Sequence, residues 1–301
     1  VIGSKYLLDE DSSHISNTVF SGGNNAAFYV NYVNSQYSDT SSMLIAGFTI
    51  TDYSNPNYDQ WYGHGGAISV WNSNVKIDHM IIQNNTARDG GGIGFMGHGF
   101  TGVVSNSIIS GNHADLGGGG IKAELTGDLW IRNTQIDDNE ANEGGGLWSR
   151  SWTELSNVEI TNNSAVYYGG FYSNTIGSSN TSRTSNEWTN VEVSRNSASN
   201  EDGGGRFEKS GGSNSFKLIN ALIVDNSSNT YPGIVFSGYD GNKIGIINST
   251  IYNNIGSNSD ASGKNNIGIW DNTVVRLLNS IVGRSGGTNG YAFYGFNCGT
   301  Q

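Results

Sequence analysis

The chain is short of most residues that would brace a compact globule or mark a specialised environment. Its one cysteine, Cys298, leaves no partner for an intrachain disulfide and gives no sign of redox compartment. Only 14% of the 301 residues are charged, and 15 Lys and Arg against 26 Asp and Glu leave a net charge of −11. That balance excludes a nucleic-acid partner, because phosphate binding needs clustered cations. No apolar run approaches the ~18 residues of a membrane helix, so no membrane insertion by this segment is expected. No secretory leader is visible at Val1, which reads as a start inside a mature or processed chain. Apolar spacing at i, i+3, i+4 and i+7 is not sustained anywhere, which argues against long helices.

Glycine and asparagine are abundant, with 44 Gly and 40 Asn beside only 35% hydrophobic residues. Such a chain cannot fill a wide core, yet its apolar residues are regularly placed, which argues against disorder. The regularity is a repeat. Asparagines recur at Asn85, Asn112, Asn139, Asn163, Asn196, Asn226 and Asn254, in steps of 27, 27, 24, 33, 30 and 28 residues. A second series runs six residues upstream, from His79 through Asn106, Asn133, Asn157, Asn190, Asn220 and Asn248 to Asn279. Between the two lies an aliphatic residue at a fixed place, for example Ile82, Ile109, Ile136, Ile160 and Val193. Glycine runs follow, then a further apolar segment such as Ile121-Lys122-Ala123 or Leu147-Trp148-Ser149. A constant Asn-to-Asn interval with variable spacing elsewhere means a rigid segment joined by adjustable loops, as in a solenoid.

These features predict an all-β, right-handed parallel β-helix of nine to ten coils, with three short strands per coil. The expected organisation is one β-helix domain over 1–301, with irregular first coils or a cap at 1–42, regular coils at 43–284 and a cap or docking segment at 285–301. Asparagine suits a left-handed corner between strands, and its amide can bond to the asparagine one coil away. A buried amide without partners is costly, so such a ladder works only as a continuous column. The glycines are assigned to a second corner with no room for a Cβ.

The phrase strand-Asn-x-Ala-x-x-Gly-Gly-Gly-Ile resembles the repeats of bacterial and archaeal secreted β-helix proteins. It is also similar to the repeats of the polymorphic outer-membrane proteins, here in Gly65-Gly66-Ala67-Ile68 and Asn84-Asn85-Thr86-Ala87. The resemblance covers about 240 residues and implies the fold. It implies an extracellular or cell-surface location and a range of roles, from adhesins and sheath proteins to polysaccharide lyases and hydrolases.

Two stretches are candidates for chemistry. Glu159 and Glu192 occupy the same outward position on consecutive coils, with Asp137 one coil earlier, and glycoside hydrolysis needs two carboxyls roughly 5 to 9.5 Å apart. Lys122 or Arg150 would serve as charge partner. The second is an outward ridge of Trp71, Met96, Lys122, Glu124, Trp148, Arg150, Tyr172 and Asn174, whose rings and polar neighbours would suit a sugar or another protein. No spacing typical of metal ligands occurs among the five His, and no phosphate loop or cofactor motif is present, so neither metal nor cofactor is expected. Of the Asn-x-Ser/Thr triplets, Asn180 in a long polar loop is the candidate for glycosylation. The reading favours a noncatalytic surface rod that forms homo-oligomers or filaments, or binds a surface glycan. The alternative is a polysaccharide lyase or glycoside hydrolase.

Overall fold

A computed structural model describes residues 1–32, 43–56, 64–125, 127–176, 185–210, 215–238, 243–257, 265–271, 273–283 and 291–296. Asn180 and Cys298 lie outside the described residues. The chain winds into a parallel β-helix whose strands pair with their equivalents one coil on, in two sheets of 24 and 10 strands.

One coil shows the pattern. Gly102–Ser105 leads to a corner at Asn106, Ile108–Ser110 runs to a second corner before Asn112, and His113–Gly117 reaches the glycines ahead of Ile121–Leu125. The first two strands form the long face, the third a short face and the fourth a third face. This coil holds four strands, whereas in the coils built on Asp128–Asp137, Trp152–Thr161 and Ser185–Ser194 the first two run on as one and three strands make the coil. The short-face strand, as short as Thr86–Ala87, carries no run of apolar residues that would announce it in the sequence.

The complete repeat makes about seven turns, fewer than nine to ten. Ten strands stack on the third face because irregular coils continue it at both ends. Near the first coil, Tyr6–Asp9 and Ser13–Asn17 are short helices, while Val19–Gly23 and Phe28–Asn31 are strands.

Alternation of side chains sends Ile82, Ile109, Ile136 and Ile160 inward, where each is fully buried. Each such aliphatic contributes about 1.5 to 3 kcal/mol by leaving water, so the column is a main source of cohesion. Farther along, Phe171, Trp188, Phe207 and Phe216 fill the interior with ring centroids 3.9 to 4.8 Å apart between successive members of the contacts Phe171–Phe207, Trp188–Phe207 and Phe207–Phe216.

The corners divide the backbone work. His79, Asn106, Asn133, Asn157, Asn190, Asn220, Asn248 and Asn279 all take positive φ, near +50°. The buried series does not. There the left-handed residue is the one before it, Asn84, Gly111, Asp138 or Asn162. At the third corner the left-handed place accepts Tyr168 or Asp202 as well as glycine. The glycine after it is obligatory for another reason: a Cβ on Gly169 would stand 2.5 Å from the Gly203 carbonyl oxygen of the next coil.

Candidate functional site

Register places Gly94, Lys122, Trp148, Tyr172, Arg206 and Val235 in one column on the outer side of the third face. Trp71, Met96 and Glu124 form a neighbouring column. The residues expected to form a ridge are therefore neighbours, but most are not open to solvent. Trp148 is 8% exposed, Tyr172 and Lys122 9%, and Asn174 3%; Arg150 is exposed and Trp71 half-buried.

The cover comes from the residues that precede four of the glycine runs, Asp89, Glu143, Tyr168 and Asp202. Glu143 accepts a hydrogen bond from Trp148 Nε1 at 3.1 Å, and Tyr168 stacks on Tyr172 at 4.8 Å. Asp89 holds Lys122 Nζ at 2.6 Å, and Asp202 holds Arg206 Nε at 2.5 Å. Side chains then touch from coil to coil. Lys122 Nζ lies 4.6 Å from the Trp148 ring, Trp148 is 5.6 Å from Tyr172, and Arg206 sits over both Tyr168 and Trp270. Tyr172 Oη donates to Glu208, while Asn174 Nδ2 donates to Tyr172 Oη.

Burial marks these groups electrostatically. It raises the Tyr172 hydroxyl and pushes Tyr168 up to about 12, against the opposing Arg206 charge. Asp202, fully buried and with Oδ1 lacking a hydrogen-bond partner, is pushed up to about 7 in spite of Arg206. Burial alone would lower Arg206, but the Asp202 carboxylate outweighs it and holds the guanidinium above its usual range.

The acidic candidates lie on the long face. Glu159 and Glu192 are in register on adjacent coils, about 4.8 Å apart along the backbone. Ser194 Oγ donates to Glu192 at 2.5 Å and Arg195 Nη1 stands 3.6 Å away. Asp137 is aligned with Thr161 rather than with Glu159, and accepts from Thr161 Oγ1 at 2.6 Å and Asn162 Nδ2 at 2.7 Å. Asp78 does the same for Ser105 and Asn106. Asp137 is thus engaged as a corner brace. Lys122 and Arg150, expected as charge partners of the acids, belong to the third face and are not brought to them. A shallow cleft of about 430 Å³ runs along Asn106, Asn133 and Asn157, with Gln135 and Glu159 on its side.

The distribution of exposed apolar groups is uneven. Among the described residues, twelve of the fifteen large exposed hydrophobics lie in Val1–Tyr32 or Tyr252–Ile281, and Ile108, Leu116 and Leu222 fall between. Leu278 and Ile281, on strands that pair along one edge among the described residues, are 63% and 66% exposed.

Neither a family model nor a solved structure matches the chain. Two curated relatives do. Over 163 residues it is 27% identical to a probable autotransporter, YfaL, of Escherichia coli (strain K12), covering 46% of this chain and 12% of that protein. Over 84 residues it is 34% identical to metabotropic glutamate receptor-like protein R of Dictyostelium discoideum, covering 27% of this chain and 5% of that protein. The chain therefore spans a small part of either relative's length.

Sequence reasoning missed Asp89, Glu143, Tyr168, Asp202 and Arg206 as members of the outer row. The available signal was positional, since the first four each stand immediately before a glycine run. It also missed Asn266, which ends the buried ladder: Asn254 Nδ2 donates to Asn266 Oδ1, and Asn266 Nδ2 donates to the Gly283 carbonyl. Asn266 belongs to neither series. Among the described residues no helix is long and apolar enough to cross a membrane.

Proposed function

We propose that the chain is a noncatalytic, extracellular surface rod whose sides are closed and whose terminal coils stack on those of other copies. The observation that carries this reading is the concentration, among the described residues, of exposed apolar side chains in Val1–Tyr32 and Tyr252–Ile281. Among the described residues, Val274–Leu278 and Ile281–Val282 pair along one edge, and a strand edge templates further pairing. A contact between unlike ends does not close on itself and propagates into a filament, sheath or layer. The charged and aromatic groups of the third face support the same reading, because they are engaged with each other between coils. The likeness to a probable autotransporter supports a location at the cell surface. Adhesion to a glycan or another protein through the long-face cleft would be a second use of the same rod.

The test is negative-stain electron microscopy with sedimentation over a range of concentrations. End-to-end particles that lengthen with concentration are expected, and Leu278→Asp with Ile281→Asp should shorten them while leaving the β-sheet circular dichroism intact. Particles that stay single at every concentration would contradict end stacking. Release of reducing or unsaturated sugar from a polysaccharide panel, lost in Glu159→Gln, would replace this reading with the enzymatic one.

A further inference from the structure

Asp89 and Lys122 come from neighbouring coils and meet on the outside of the glycine corner, with Nζ 2.6 Å from Oδ1. Their side chains are 2% and 11% exposed. The Trp148 ring lies 4.6 Å from Nζ and screens the contact from solvent. A second carboxylate stands beside the amine: Glu124 Oε2 is 3.9 Å from Nζ, and Arg150 Nη1 is 3.6 Å from the other oxygen of Glu124. The second Asp89 oxygen, Oδ2, faces His64 Nδ1 at 3.5 Å and Arg88 Nε at 3.8 Å.

We propose that Lys122 and Asp89 condense into an isopeptide amide, a covalent bond between adjacent coils. Contact between nucleophile and carboxyl in a fixed frame turns an otherwise slow bimolecular step into an intramolecular one. An ion pair removed from water bears a desolvation cost that a neutral amide does not. In the step itself, an ammonium proton passes to Glu124 and the freed amine attacks Cγ of Asp89. Charge then gathers on Oδ2, where Arg88 and His64 oppose it. The C–Oδ1 bond breaks as the C–N bond becomes an amide. Of the three ammonium protons, one stays on nitrogen and two leave with Oδ1 as water, Glu124 carrying them across. No oxidant, reductant or other reactant is needed.

The molecule contains its own control. Asp202 and Arg206, four residues apart on one coil beside another glycine corner, are also in contact, at 2.5 Å. A guanidinium stays protonated and is not a nucleophile, so that pair does not condense. A chain without disulfides would gain one crosslink closing a span of 33 residues.

Intact-mass spectrometry of the folded, full chain under denaturing conditions tests this. The mass expected is that of the sequence less one water, and a protease digest should contain a branched peptide joining the segments of Asp89 and Lys122. Lys122→Arg, which keeps the charge and the ring contact, should restore the full mass. Glu124→Gln should retard the loss of water with circular dichroism unchanged. A full sequence mass in the unsubstituted chain overturns the proposal, as does a loss of water that maps to any other pair of residues. Should Lys122→Arg fail to fold, the unsubstituted chain's mass and branched peptide still decide.

Discussion

Asn112, Asn139 and Asn163 are shut inside the wall of the helix, whereas Asn106, Asn133 and Asn157, six residues upstream, stand on a corner open to solvent. Each buried carboxamide uses all its capacity. Asn139 Oδ1 accepts from both the backbone N–H and the Nδ2 of Asn112, at 3.0 Å each. Its own Nδ2 donates back to the Ile109 carbonyl and forward to Asn163 Oδ1. In the exposed column Asn133 makes one bond in each direction, donating to Asn106 and accepting from Asn157. The two ladders also run in opposite senses. Amide donors point to the following coil in the buried one and to the preceding coil in the exposed one.

Neighbouring groups fix both directions. A backbone N–H can meet only an oxygen, so the buried amides cannot be flipped. The exposed ladder begins at Asp78, an acceptor that takes Asn106 Nδ2 at 2.9 Å. The same residue type therefore does two jobs. Outside it provides a left-handed turn; inside it replaces the hydrogen bonds that a corner takes from the backbone.

The comparison should break first at the buried column. Asn139→Ala strands the Asn112 donors, the Ile109 carbonyl and one acceptor of Asn163, and should cost about 3 kcal/mol or more in denaturant unfolding. Asn139→Asp should be similarly damaging, because a carboxylate would face the Ile109 carbonyl away from water. In the exposed column, Asn133→Ala loses a left-handed preference worth roughly 1 to 2 kcal/mol, while its two solvent-accessible bonds, to Asn106 and from Asn157, are replaced by water at little net cost. Asn133→Gly should recover most of that loss, since glycine takes the same corner freely, whereas Asn139→Gly should recover nothing.

The smallest effect concerns Asp202. Its pKa of about 7 when folded lies above the ordinary 3.8. Between those values the folded chain holds a proton that the unfolded chain has released. This stability is complete below about pH 4 and is lost as pH rises through 7. Thermal unfolding midpoints should fall from about pH 5 to pH 8, and fall less in Asp202→Asn. Asp78 acts in the opposite sense. Burial opposes ionisation there, but Ser105 and Asn106 hold the carboxylate below its usual range, so its contribution is lost only in acid below the ordinary 3.8.

The carboxamide columns were legible in the sequence because their physics is periodic. Asparagines at a fixed interval from a buried aliphatic announced both the corner and the stack. Elements governed by local geometry were not legible. Thr86–Ala87 and its equivalents are strands because neighbouring coils pair with them, and their small polar residues carry no alternation. The outer row was read as an outward ridge because alternation gives a side chain's direction but not what folds over it. Glu143, Tyr168 and Asp202 reach it from a corner whose path depends on the glycines. Asn266 was invisible for a further reason, since it enters the ladder from the third face and follows neither series.

Side-chain amide hydrogen exchange, read by NMR on asparagine Nδ2 signals, tests the two-column account most directly. The Nδ2 protons of Asn112, Asn139 and Asn163 should exchange only with global unfolding, and those of Asn133 and Asn157 orders of magnitude faster. Comparable rates in the two columns would contradict it.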